Sequence, residues 1–364
     1  MVRKYPDGKL FFGTLFHKHV EHWYQAGGDR GVASEATNAW IKEQKPEMMD
    51  QADYRELMEL FWPLVYQYMD YYEHDFYSMN VIATELQFAI PMYDNDGMTE
   101  YAYSGTIDLV YEQDDALKFR DYKTVSSIDR YVNNAVLDRQ ISRYWWALTA
   151  LCDGYGYIWS TDCTPEGEWL PVTETMLYKQ LKGRMPDEFE YDIVRKDVAK
   201  PPKEVKKGAA LSVDKSQNTT YELYLKELVK RGWVELNEDG SPDFVYEKGL
   251  QYQEILEHLK QQGNKFLRRL QVRRRWSECE AAMEDFHRAA VELMWVRKLL
   301  DSGSPLADKK LYWNINYDTK DMNQYYPLIL AEVNGDNVSM VKTALFEYEK
   351  DYDPESDYIE VEDK

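Results

Sequence analysis

The segment from Tyr103 to Thr124, YSGTIDLVYEQDDALKFRDYKT, decides the fold. Its pattern predicts two short strands, GTIDLVYE and ALKFRDYK, joined by a turn at Asp114 and Asp115. Side chains alternate between the two faces of a strand, so Asp121 and Lys123 share a face. In a hairpin, Asp108 of the first strand can meet both of them. The segment therefore predicts a cluster of two carboxylates and one ammonium group.

Two carboxylates and a lysine on one sheet face suit the hydrolysis of a phosphate ester. The carboxylates can hold a hard divalent cation such as Mg²⁺ or Mn²⁺, which lowers the pKa of bound water and neutralises phosphate charge. The lysine can orient the attacking water or stabilise developing negative charge. A surface strand pair with an incidental Asp–Lys ion pair is the alternative, and the hairpin alone does not decide between the two.

Motifs on both sides of the hairpin favour the first interpretation. Upstream, Gly13–His17 reads G-T-x-x-H, and downstream Gln140 and Tyr144 read Q-x-x-x-Y. Together with the aspartate of GTIDLV and the DYKT of Asp121–Thr124, four motifs occur in order within residues 11–150. In this set and order, the chain resembles the RecB-like branch of the PD-(D/E)XK nuclease superfamily.

This resemblance implies an α/β fold, namely a restriction-endonuclease-like core with a central mixed sheet flanked by helices. It implies that a Mg²⁺ or Mn²⁺ ion is held by His17, Asp108 and Asp121. It also implies further members of the catalytic site, which assist the water, support the site or position the DNA strand: Lys123, Gln140, Tyr144 and Glu85.

Each residue outside the hairpin also has a purely structural interpretation. His17 lies at the edge of a helical apolar stripe that includes Phe16 and Val20, where it could be an interfacial histidine. Gln140 and Tyr144 are one helical turn apart and could belong to a helix that packs its tyrosine inward. Glu85, in the predicted strand VIATELQFAI, could be a charged residue on a half-exposed strand.

The net charge of −21 is unusual for a chain that binds DNA. Part of the acid lies in residues 346–364, a segment that composition predicts to be disordered and able to bind a protein partner. Basic residues cluster at 195–207 and 265–275. We predict that the second cluster contacts the DNA backbone through Arg268, Arg269, Arg273, Arg274 and Arg275. A solvated face that pairs with acid elsewhere in the chain is an equal alternative.

Cysteine usage and hydropathy address the compartment and cofactor. The sequence has no apolar run long enough to span a bilayer and no signal-peptide core at its start. Cys152, Cys163 and Cys279 have no metal-site spacing and predict free thiols in a reducing cytoplasm, bacterial or that of a phage-infected host. Many RecB-like nucleases carry an iron–sulfur cluster on four cysteines. None of these cysteines has a counterpart here, so we expect no such cluster.

Segment composition predicts four parts of the chain. They are a nuclease core at 1–198, a Pro- and Lys-rich linker at 199–208, a mainly helical C-terminal region at 209–345 and the acidic tail at 346–364. The C-terminal region would either complete the fold or bind DNA. Within the core, YDNDG at 93–97 predicts a hairpin turn, and a helix should cover about 135–151.

These observations predict a metal-dependent deoxyribonuclease, and specifically an exonuclease of phage type that acts on DNA ends in recombination, repair or DNA processing. One alternative is a non-catalytic DNA-end-binding or complex subunit that keeps the fold. Another is an acidic interaction protein whose tail binds a partner or mimics DNA. The complete D…DxK set favours the enzyme, because a scaffold needs none of these charges.

Overall fold

The computed structural model describes residues 2–3, 8–44, 51–93, 100–135, 137–206, 210–244, 247–301 and 346–347. The strands in chain order are β1 (Val2–Arg3), β2 (Asn80–Tyr93), β3 (Glu100–Gln113), β4 (Ala116–Val125), β5 (Tyr157–Ser160), β6 (Glu168–Pro171), β7 (Pro186–Arg195), β8 (Glu204–Lys206), β9 (Ala210–Leu211), β10 (Glu235–Leu236), β11 (Pro242–Asp243), β12 (Leu267–Val272) and β13 (Phe346–Glu347).

Seven of these strands form one mixed sheet in the order β12-β7-β4-β3-β2-β5-β6. The β4–β7 pair is parallel, and every other adjacent pair of strands in this sheet is antiparallel. The expected hairpin lies at the centre, where Gln113 pairs with Ala116 across a two-residue turn. Both turn residues, Asp114 and Asp115, have positive φ angles of 54° and 61°, the conformation that a tight hairpin turn requires.

Helices cover both faces of this sheet. They are α1 (Gly8–Gln25), α2 (Arg30–Glu43), α3 (Gln51–Tyr72), α4 (Asp75–Ser78), α5 (Ile128–Ala135), α6 (Arg139–Cys152), α7 (Tyr178–Leu181), α8 (Tyr221–Lys230), α9 (Glu247–Leu250), α10 (Gln253–Gln262) and α11 (Trp276–Asp301). A mixed sheet between helical layers confirms the expected restriction-endonuclease-like α/β fold.

Alternation along the central strands divides the core into two layers. Tyr122 and Leu109 pack with α1 and α3 on one face, where Phe16 is fully buried. Phe119 packs with α6 and α11 on the other face, against Trp145. Full burial of such side chains contributes about 1.5–3 kcal/mol each, so both helical layers are held firmly on the sheet.

The C-terminal region supplies part of this core. Strand β12 forms the sheet edge by pairing antiparallel with β7, and α11 packs along α6. Residues 196–266, which we call the insert, therefore lie in sequence between two neighbouring strands. The insert has its own apolar cluster, which includes Tyr224, Leu228 and Tyr252. The central sheet is not complete within residues 1–198, because β12 belongs to it. The segment expected as a linker at 199–208 contains the buried Ala199 and β8, which pairs with β9 in a separate sheet.

Residues 2–3 and 346–347 pair in a small separate sheet. Val2 and Arg3 pair antiparallel with Glu347 and Phe346, so the tail expected to be disordered from residue 346 begins with two residues of a strand. The remainder of that tail, and the turn expected at 93–97 apart from Tyr93, lie outside the described residues. Among the helices of the described part of the chain, none is long and apolar enough to cross a membrane.

A buried ion network connects α4 and three strands on the α1/α3 face. Arg120 of β4 is 2% exposed and donates to Glu190 of β7 and to Asp75 of α4. Arg269 of β12 donates to both Asp75 oxygens at 2.7 and 2.6 Å, and to Asp192 of β7 at 3.1 Å. Arg269 was predicted from sequence to contact DNA. Its guanidinium is committed to internal carboxylates, so we remove it from that set.

Replacement of Arg269 tests this assignment. We expect Arg269→Met to lower the free energy of unfolding by about 3–5 kcal/mol in urea titration, because it leaves buried carboxylates without their cation. The control is Arg268→Met on the same strand. Arg268 is paired at 3.7 Å with the exposed Asp129, and its loss should change stability by about 0.5 kcal/mol or less. Equal effects for the two variants would contradict the buried network.

Candidate active site

The two aspartates of the hairpin lie where β3 and β4 separate. The antiparallel ladder runs from Gln113–Ala116 to Leu109–Arg120 and stops one pair before Asp108 and Asp121. At that point the Asp108 carboxylate accepts a hydrogen bond from the Tyr122 amide at 2.7 Å. The side chain thus replaces a backbone carbonyl as the partner of β4, and Asp108 is held rigidly beside Asp121.

Glu85 faces Asp108 across a distortion of β2 and β3. The ladder pairs Thr84 with Leu109 and Leu86 with Ile107 and omits the intervening pair. Glu85 has a φ of 47°, a left-handed conformation that costs a non-glycine residue energy and is concentrated at functional sites. Leu109 joins the core on the α1/α3 face, whereas Ile107, two residues away, joins the core on the opposite face. The strands therefore change face at Glu85 and Asp108.

His17 approaches this pair from α1. Its Nδ1 lies 3.4 Å from Asp108 Oδ2, and its ring meets the edge of Tyr122 at a centroid distance of 5.8 Å. Burial, together with the positive charge of Lys123, lowers the pKa of His17 to about 4. The imidazole is therefore neutral at physiological pH, which is the form that binds metals.

His17, Glu85 and Asp108 form a set that we call the metal cradle. One ligand atom from each lies within 4.8 Å of the others. Glu85 Oε1 is buried without a hydrogen-bond partner in the described part of the chain. Two carboxylates and one imidazole suit a hard or borderline divalent cation such as Mn²⁺ or Mg²⁺, and the orphaned oxygen leaves a ligand position for it. The residues present therefore fit the implied metal.

The charges of the cradle explain why a cation is needed there. Burial, and then the neighbouring Asp121 and Glu85, raise the pKa of Asp108 well above its ordinary value. Burial, and then Glu21, raise the pKa of Glu85 to about 7. Both shifts report carboxylates that are desolvated and crowded with like charge. A bound divalent cation would remove that penalty.

Asp121 belongs to a second group, around Lys123. The sequence placed Asp121 in the metal set with His17 and Asp108, but its carboxylate is not part of the cradle group and lies 2.5 Å from Lys123 Nζ. Burial alone would lower the pKa of Lys123. The charge of Asp121 and its hydrogen bond to Lys123, together with Tyr131 and Asp108, outweigh burial and raise that pKa to about 12. Lys123 is therefore a permanent cation.

Helix α6 extends this second group. Lys123 Nζ donates to Gln140 Oε1 at 3.3 Å, and Gln140 Nε2 donates to the Tyr144 hydroxyl at 3.0 Å. The Tyr144 ring lies over β3 at Gly105, where a Cβ atom would come within 3.3 Å of the ring. Such a Cβ would lie 3.0 Å from the Phe88 ring as well, so a larger residue would require these rings to shift slightly. The predicted Gln140–Tyr144 pair does lie beside the hairpin lysine.

Asp138 is a supporting residue that sequence reasoning missed. One of its oxygens caps α6 by accepting from the Gln140 amide at 2.8 Å, and the other accepts from the Tyr191 hydroxyl of β7 at 2.6 Å. Lys123 Nζ lies 5.8 Å from the centre of the Tyr191 ring. An aspartate directly before a helix is a readable N-cap signal. It would have identified Asp138 as the residue that fixes the start of the helix carrying Gln140.

The remaining arginines of the 265–275 cluster lie on β12 or directly after it. Arg268 and Arg273 have largely exposed side chains, with carboxylate partners at 3.7 and 3.5 Å. Arg274 donates to the backbone carbonyl of Asp138 at 3.2 Å, and the Arg275 amide donates to Glu278. Arg268, Arg273 and Arg275 are therefore the exposed members of this set, whereas Arg274 is half-buried.

Comparison with known families agrees with this geometry. A family model described as the PD-(D/E)XK nuclease superfamily matches residues 4–232, more than half of the chain. The chain belongs to the PD-(D/E)XK nuclease superfamily. The matched range includes the metal cradle, the hairpin and α6, and ends within the insert. A search of curated proteins found no match.

Neutralising one cradle carboxylate should stabilise the metal-free protein and at the same time weaken metal binding. We expect Glu85→Gln to raise the apo midpoint of thermal unfolding at pH 8 by about 2 °C or more, because it removes one of the crowded buried charges. The same variant should lose most of the stabilisation that Mn²⁺ gives the parent protein. Calorimetric scans with Mn²⁺ and with EDTA measure both effects.

The control is Glu238→Gln, at an exposed position of the hairpin between β10 and β11. It should match the parent in both scans. The metal cradle would be contradicted if Glu85→Gln kept the full Mn²⁺-induced shift.

Proposed function

We propose that this protein is a Mg²⁺- or Mn²⁺-dependent deoxyribonuclease of the RecB-like branch that hydrolyses phosphodiester bonds from DNA ends. The observation that carries the proposal is the position of the metal cradle beside the Asp121–Lys123 pair. The Tyr122 amide that binds Asp108 lies between Asp121 and Lys123 in sequence, so the cradle and the ammonium group are fixed to one strand. A setting in phage recombination, repair or DNA processing is part of this proposal.

The residues of the site divide the work of hydrolysis. His17, Glu85 and Asp108 would hold the ion, with Asp121 next to it. When bound, the ion would activate a water molecule and neutralise charge on the phosphate. Lys123 remains protonated, so it acts as a hydrogen-bond donor that orients the water or stabilises the charged transition state, and not as a general base.

Gln140 and Tyr144 would position the DNA strand. The Gln140 amide is orientated by its two contacts, since its oxygen accepts from Lys123 and its nitrogen donates to Tyr144. Because the Tyr144 oxygen accepts that bond, its own hydroxyl proton is available for a substrate oxygen. The exposed Arg268 and Arg273 are candidates for backbone phosphates farther along the strand.

Single substitutions test the enzyme assignment. We expect Asp108→Asn and Asp121→Asn each to abolish cleavage of labelled linear duplex in Mg²⁺ or Mn²⁺. Lys123→Met should retain Mn²⁺ binding but slow single-turnover cleavage on the order of 10²-fold or more, because it removes one stabilising donor. Glu238→Gln serves as the acidic control and should cleave at the parent rate. Parent-like cleavage by Asp121→Asn would refute the site. A parent that binds DNA ends but never cleaves them would favour the non-catalytic subunit.

Dependence on DNA ends is tested by topology. We expect the parent protein with Mg²⁺, and then with Mn²⁺, to degrade a linearised plasmid while the covalently closed circle persists. We expect this because no element among the described residues matches a base-reading helix or a half-site reader, so site-specific cutting of a circle has no structural basis there. Gel analysis of both forms measures the outcome. Discrete cutting of the intact circle would identify an endonuclease instead.

A further inference from the structure

Arg143 occupies a distinctive place on α6. It lies one helical turn after Gln140, about 4.5 Å farther along the helix axis, and directly before Tyr144. On its other side is Tyr103 of β3, whose ring packs against Phe88 and Phe286. Arg143 is close enough to Tyr103 to lower the pKa of that phenol, against the larger effect of burial, which raises it. Arg143 therefore lies beside the Gln140–Tyr144 pair of the candidate site, within electrostatic range of Tyr103.

This arginine has no carboxylate partner among the residues that the structure describes. Its side chain is half-buried, and its Nε atom is buried without a hydrogen-bond partner. Acidic groups are abundant in this chain, with 65 Asp and Glu against 44 Lys and Arg. Most arginines whose side chains are described do pair with a carboxylate; Arg139, on the same helix, pairs with Asp285. Arg143 is thus an exception in a chain that offers many partners.

Leaving a cation partly desolvated and unpaired costs free energy. That cost is recovered when a ligand supplies the anion, and the attraction is stronger than in water because the side chain is half-buried. A guanidinium group presents planar, paired donors that match the oxygens of a phosphate. The position next to Gln140 and Tyr144 therefore fits a phosphate of the same strand that the site would cut.

We propose that Arg143 binds a backbone phosphate of the substrate strand, next to the phosphodiester that is hydrolysed. This inference rests on the proposed nuclease function and extends its site along α6. It makes Arg143 a positioning residue, which fixes the strand relative to Lys123 without touching the reacting atoms. The line from Lys123 through Gln140 to Arg143 then sets the direction in which the strand crosses the site.

The test combines a protein variant with a modified substrate. Linear oligonucleotide duplexes are prepared, each with one uncharged methylphosphonate linkage at a different position near the cleaved end. We expect Arg143→Met to lower kcat/KM about tenfold to a hundredfold on unmodified DNA, the effect of losing one charge-assisted contact. In the parent, a methylphosphonate at one position should lower kcat/KM by a similar factor. In Arg143→Met, the same methylphosphonate should cause no further decrease in kcat/KM, because the contact is already lost.

Two controls make the outcome specific. Arg139→Met removes a cation from the same helix that is exposed and already paired, and it should retain both parent kinetics and sensitivity to every linkage. Arg143→Lys keeps the charge without the planar pair of donors and should fall between the parent and Arg143→Met. Unfolding midpoints of Arg139→Met and Arg143→Lys should match the parent. That of Arg143→Met should match or exceed it, because the variant removes an unpaired, partly desolvated cation, and these results exclude a folding defect.

The possible results separate this inference from the function on which it rests. The phosphate contact would be overturned, and the proposed function would not, if the parent is active and each linkage lowers kcat/KM by the same factor in Arg143→Met as in the parent. Unchanged kinetics of Arg143→Met would do the same. A parent that cleaves no DNA with Mg²⁺ or Mn²⁺ would overturn the proposed function, and the role of Arg143 with it.

Discussion

The hydrogen bond from the Tyr122 amide to the Asp108 carboxylate is the constraint on which the site depends. It ends the pairing of β3 and β4 without leaving the Tyr122 amide unsatisfied. Strand β4 pairs in parallel with β7 from Leu117 to Val125. Beyond Arg120 it keeps only this partner, so Asp121 and Lys123 diverge from β3 and open the space that His17 and Glu85 border. One side chain thus serves as a structural partner of the backbone and as a wall of the metal cradle.

Charge is handled differently in the buried ion network and at the metal cradle. On the α1/α3 face, Arg120 and Arg269 neutralise three buried carboxylates, so the network is nearly balanced within the protein. At the cradle, no Lys or Arg among the described residues forms an ion pair with Glu85 or Asp108, and the nearby Lys123 is paired with Asp121. The imbalance is local and lies where a divalent ion and a phosphate would supply the missing charges. The large net negative charge of the chain therefore does not describe the site itself.

The sequence predicted the hairpin and its neighbours well because their signals are short in range. The turn at Asp114 and Asp115, the alternation around Asp121, and the helical spacing of Gln140 and Tyr144 are all contained within a few residues. The fold class followed from the order of such elements.

Contacts between distant segments could not be read in this way. The role of Arg269 depends on Asp75, 194 residues away, and the run of arginines around it looked uniform in sequence. Glu85 was a candidate, but its left-handed backbone and the change of face beside Asp108 follow from strand packing and not from local propensity. The contribution of β12 to the sheet was likewise hidden, because the insert separates it from its partner β7.

The insert has a consequence for how the chain acquires its native state. The cradle residues, and Gln140 and Tyr144 of α6, are synthesised before residue 145, but the edge strand beside β7 is complete only when residue 272 has emerged. Pairing across so long a loop is slow and entropically costly. During synthesis, Asp75 and Asp192 lack Arg269 until that residue has emerged. The negative charge that Arg120 alone does not neutralise then opposes burial of these carboxylates in the nascent chain. The candidate site residues are thus synthesised early. The edge strand that completes the sheet around them follows only after the insert and its apolar cluster.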